Sequence, residues 1–100
     1  MMYPFMTLND DTEITHSEMK PDGRVKVYIE TPDDFGGFRN ATCWLPEYKW
    51  EDIRGFSTIE INYFDDFIHS IAHIIIELSQ NGGFDNVSDN LLSGTIRSLE

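Results

Sequence analysis

The chain has 100 residues, 40% of them hydrophobic, with 18 acids against 7 bases and a net charge of −11. That is enough for one modest core and too little for two, and the apolar content is that of a folded chain rather than a disordered one. The acid excess argues against direct nucleic-acid binding, no run approaches the roughly 18 apolar residues of a membrane span, and the single cysteine, Cys43, rules out an intramolecular disulfide.

The opening MMYPFMTLNDD has neither the basic region nor the apolar stretch of a signal peptide, so the cytoplasm is the expected compartment. Residues 3–8 (YPFMTL) read as a short strand, with Pro4 confined to an edge or a strand start. Asn9, Asp10 and Asp11 form a turn cluster, and residues 12–19 (TEITHSEM) suit a second strand with one wet face, on which His16 is expected to meet solvent. Lys20-Pro21-Asp22-Gly23 is a turn: proline presets one backbone angle and glycine supplies a positive one. Residues 24–30 (RVKVYIE) then alternate cleanly, Val25, Val27 and Ile29 facing one way and Tyr28 the other.

After the loop TPDDFGG, residues 38–45 return as a fourth strand with Ala41, Cys43 and Leu45 inward and Trp44 outward. Pro46 ends it. Residues 47–55 (EYKWEDIRG) are expected to be irregular or a single helical turn, anchored by Tyr48, Trp50 and Ile53.

The strongest pattern lies at 57–80. Ile61, Phe64, Ile68, Ile71, Ile75 and Leu78 recur at intervals of 3, 4, 3, 4 and 3, which places them on one stripe of an α-helix. Each contributes about 1.5–3 kcal/mol when fully buried, so the rest of the chain must cover this stripe. Ser57 and Glu60 have the spacing of a capping box, Phe56 and Ile61 that of a hydrophobic staple, and Asn81-Gly82-Gly83 can adopt the left-handed geometry that stops a helix. Phe84 could fold back on the last turn.

An antiparallel meander with one apolar face needs a cover, and an apolar helix needs a surface. Together they predict an α+β domain, a three- to four-stranded meander packed on one long C-terminal helix. Residues 1–84 form the domain; Leu91, Leu92, Ile96 and Leu99 give 85–100 only a weak helical signal, leaving a tail that is flexible or docked on a partner.

Motifs that specify chemistry are sparse. Asp65, His69, His73 and Glu77 are each four residues apart and stack on one helix face, so the histidine pair could share a metal with flanking carboxylates. A zinc-protease helix has glutamate directly after its first histidine, where this chain has Ser70, and polar residues are expected on that face in any case. Cys43 sits at an inward strand position, where cysteine behaves as a small hydrophobe. No glycine-rich phosphate loop or nucleophile elbow occurs, and no cofactor or catalytic residue is expected.

Excess apolar surface is the remaining signal. Ile59, Tyr63, Phe67, Ile74 and Ile76 add to the helix stripe, Phe67 and Ile74 widening one flank and Ile76 and Tyr63 the other, beyond the arc that a small sheet covers. Tyr28 and Trp44 point away from the helix. Large uncovered apolar patches mark interfaces. The expectation is a non-enzymatic interaction domain that contacts a protein partner or forms a homodimer.

The segments YPFMTLNDDTEITHSE, PDGRVKVYIETPD and ATCWLPEYKWEDI resemble those of small uncharacterised proteins of Gram-positive bacteria. That resemblance implies a bacterial cytoplasmic protein and transfers no residue role. In fold plan the meander followed by a helix is also similar to HicB-type antitoxins, small acidic proteins that pair with basic toxins. It implies an alternative function as an acidic inhibitor.

Overall fold

The computed structural model describes residues 2–8 and 10–80; the expected helix stop at Asn81-Gly82-Gly83, Phe84 and the tail at 85–100 lie outside them. Five strands, β1 (Met2–Thr7), β2 (Glu13–Ser17), β3 (Val25–Pro32), β4 (Phe38–Leu45) and β5 (Lys49–Arg54), precede one helix, α1 (Thr58–Gln80). The sheet runs β1-β2-β3-β4-β5 with every neighbouring pair antiparallel, so the α+β meander with a C-terminal helix is the architecture.

β5 corrects the reading of 47–55 as irregular or one helical turn. The chain reverses through Pro46 and Tyr48, the Leu45–Pro46 peptide being cis and Tyr48 at φ 59. It then pairs with β4, Trp50 opposite Cys43 and Glu51 opposite Thr42. Asp52, at φ 53, lies where the register shifts and makes a bulge. That extra residue breaks the alternation by which a strand is recognised. Beyond it Ile53 is 43% exposed, so it is not the anchor expected.

The core lies between sheet and helix. Ile14, Val25, Val27, Ile29, Cys43 and Leu45 meet Phe64, Ile68, Ala72 and Ile75 in one buried cluster. Ile61 and Ile71, the other members of the expected stripe, are only half-buried, and Ala72 is buried in the seam instead.

The helix start is fixed as its sequence requires. The Ser57 amide donates to Glu60 Oε1 at 2.9 Å and the Glu60 amide to Ser57 Oγ at 3.2 Å, closing the capping box. Phe56 packs edge-on against Phe64 at 5.1 Å between ring centroids, one turn beyond the Ile61 expected for the staple. Arg39 straps the entry: its guanidinium pairs with Glu60 at 2.6 Å and lies 5.1 Å from the Phe56 ring centre. Gly55 makes room for that strap. It has φ 85, and a Cβ there would come within 2.6 Å of the Arg39 stem. At the far end the Met19 amide donates to the Ser79 carbonyl at 3.0 Å, so the helix runs from the Arg39 end of the sheet to the Met19 end.

His16 is not a solvent residue. It alternates with Ile14 onto the helix side of β2 and is fully buried, with Tyr3 and Phe5 of β1 at 5.7 and 6.5 Å between ring centroids. Its phase follows from Ile14 two residues earlier, which decides the face more strongly than polarity does.

Truncating Ile68 to alanine, at the centre of the seam, should cost about 2–5 kcal/mol in urea unfolding. Ser57→Ala should cost about 0.5–2 kcal/mol. A larger loss at Ser57 than at Ile68 would contradict a fold held by the helix–sheet seam.

Candidate functional site

The Asp65–Glu77 face separates into two parts. Asp65 and His69 turn toward β5: Asp65 Oδ1 accepts the Trp50 indole N–H at 2.9 Å, and the His69 ring stacks on Tyr48 with centroids 3.6 Å apart and planes 8° from parallel. His69 Nδ1 lies 2.8 Å from the Asp65 carbonyl oxygen and 3.5 Å from Asp65 Oδ2. A carbonyl only accepts, so Nδ1 carries a proton. His73 and Glu77 are exposed further along. Among the described residues no three of His, Cys, Asp and Glu are placed to hold a metal ion, so the four do not form a centre.

An imidazole held by a carboxylate is one part of a general base, but the arrangement lacks a nucleophile. The Ser70 hydroxyl donates to the Phe67 carbonyl. Cys43 is buried, and burial, with the Asp65 carboxylate adding to it, pushes its thiol pKa up to about 12. Tyr48 and Trp50 went unrecognised as partners of His69 and Asp65 because the strand that brings them there is broken by the Asp52 bulge.

The six candidate interface residues fall in different surroundings. Tyr28 and Trp44 are half-buried on the outer sheet face, where their polar atoms are met within the chain. The Tyr28 hydroxyl donates to Glu30 Oε2 at 3.0 Å, the Trp44 indole to Glu51 Oε1 at 2.6 Å, and Arg24 lies 4.5 Å over the Trp44 ring. Phe67 and Ile76 pack on the core edge and Ile74 is half-buried. Tyr63 is 62% exposed, and with it Ile59, at 82%.

These two side chains border a groove. Thr7, Leu8 and Asp10 on one side and Ile59, Glu60, Tyr63 and Phe64 on the other enclose about 610 Å³, open to solvent. Asp10 is anchored by the Thr12 amide at 3.3 Å, and the contact with Thr12 holds its carboxyl below the usual range. A second cleft of about 340 Å³, which shares Thr7, is lined by Asp11, Glu13, Glu30, Pro32 and Phe38. The first depends on where the β1–β2 turn lands beside the helix start and the second on how the ends of β1–β2 and β3–β4 meet, tertiary facts with no local signature.

No protein-family profile matches the chain, and no curated protein or solved structure shows significant similarity to it. No helix among the described residues is long and apolar enough to cross a membrane.

Two outcomes test the chemistry of the buried groups. Cys43 should be inert to a thiol-specific reagent in the folded protein and react fully in denaturant; prompt reaction without denaturant contradicts its burial. His16 Nδ1 bonds the Ser17 carbonyl at 2.8 Å, Nε2 has no partner among the described residues, and burial holds the imidazole pKa below its ordinary value. A histidine with a depressed folded pKa contributes stability that is complete above its unfolded value of about 6.5 and declines as pH falls through it. Glu18, held at about 2 chiefly by its own backbone amide and by Lys20, titrates below that window. Melting should therefore drop between pH 7.5 and 5.5 by more in the native chain than in His16→Leu; equal slopes would refute it.

Proposed function

We propose that this chain is a non-enzymatic protein-interaction domain that meets another polypeptide at the groove between the β1–β2 turn and the first turns of α1. The exposure of Ile59, at 82%, and of Tyr63, at 62%, carries the reading, because both flank an apolar depression floored by Leu8 and Phe64. The sheet edges are poorer docking surfaces. β1 carries Pro4 and a register shift at Phe5, while β5 carries Lys49, Glu51, Asp52, Arg54 and the bulge. Proline, charge and bulges all hinder strand addition. The lack of an assembled nucleophile and base among the described residues favours binding over catalysis.

A second copy of the chain is the first occupant considered, giving a homodimer. The alternative raised by a charge of −11 is an inhibitor that pairs with a basic protein, as an antitoxin does, and it uses the same face.

Sedimentation velocity at tens of micromolar should show the average mass rising with concentration. The rise should grow with salt, which screens like charges, and should be lost in Ile59→Lys. A native chain that stays monomeric throughout overturns self-association.

A further inference from the structure

The groove and its neighbouring cleft differ in character and lie on opposite faces of the sheet, the groove on the helix side and the cleft on the outer side with Glu13 and Glu30. They meet round the β1–β2 end at Thr7. The groove offers Leu8, Ile59, Tyr63 and Phe64; the cleft offers Phe38 and Pro32 beneath three carboxylates. Neither is lined by a lysine or arginine. Glu13 and Glu30 stand directly opposite each other in the β2–β3 register. Like charges in that position destabilise a sheet. Among the described residues, no ion pair joins either of them to a base. Lys20 and Arg24 are paired with Glu18 and Glu47 at the opposite end, and Arg39, a base beside the groove, is already held by Glu60.

We propose that this two-part surface docks a basic amphipathic segment of a different protein, its apolar anchors in the groove and its lysine or arginine heads in the cleft. The inference rests on the interaction-domain reading and names the occupant. Charge complementarity selects it. A second copy brings a like net charge of −11, whereas a cationic segment relieves the Glu13–Glu30 opposition. Phe38, 60% exposed in the cleft, offers a π face beside those carboxylates for an ammonium or guanidinium head.

The test uses three synthetic peptides of equal length: leucine with lysine, leucine with glutamate, and serine with lysine. Titrated into the ¹⁵N-labelled full chain, the leucine–lysine peptide should bind most tightly and shift the amides of Glu13, Glu30, Ile59 and Tyr63. Raising salt from about 0.05 to about 0.5 M should weaken it, opposite to the effect on self-association. Glu13→Gln with Glu30→Gln, and separately Ile59→Ala, should each weaken it about ten-fold. Glu47→Gln with Asp22→Asn, at the far end, should leave it within about two-fold. Equal weakening by the far-end pair, equal binding of the serine–lysine peptide, or shifts spread over the whole surface would overturn the proposal. If the peptides fail while salt-promoted, Ile59-dependent self-association persists, a second copy is the occupant and the interaction-domain reading stands. If both fail, that reading falls as well.

Discussion

The structure depends on one seam, where Phe64, Ile68, Ala72, Ile75 and Leu78 of the helix press on the inward side chains of β2, β3 and β4. Neither partner can exist alone. A single sheet face lined by Val25, Val27, Ile29, Ala41, Cys43 and Leu45 is too apolar to meet water, and the helix has nothing else to lie on. All six of those strand residues are completely buried. The capping box and the Arg39 strap fix where along the sheet the helix begins, and through it the position of every later contact.

Features encoded by short-range pattern were legible in the sequence. Val25-Lys26-Val27-Tyr28-Ile29 alternates without interruption, and the helix announces both its stripe and its Ser57 start. β5 was not legible. Its turn uses Tyr48 at positive φ where glycine or asparagine is the usual signal, and Asp52 interrupts its alternation. Much of the apolar excess on the Phe67 and Ile76 flanks is absorbed within the chain.

The candidate site was legible only in part. Tyr63 could be placed on an apolar flank by counting round the helix, but the groove that gives it meaning is closed by Leu8, separated from it by more than fifty residues of chain. The two histidines of the helix show the reverse. Their spacing suggested a shared ligand, yet stacking on Tyr48 commits His69 to the sheet edge. Spacing along one helix states which side chains can be neighbours; the elements packed beside it decide which of them are.

Glu60 belongs to two systems at once. It lines the groove, and its carboxylate is the acceptor that holds Arg39 across the helix start. Losing that one carboxylate would remove a charge from the groove wall, the reciprocal bond of the helix cap and the anchor of the Arg39 strap together. The surface and the stiffness of the first helical turn are thus tied through a single side chain.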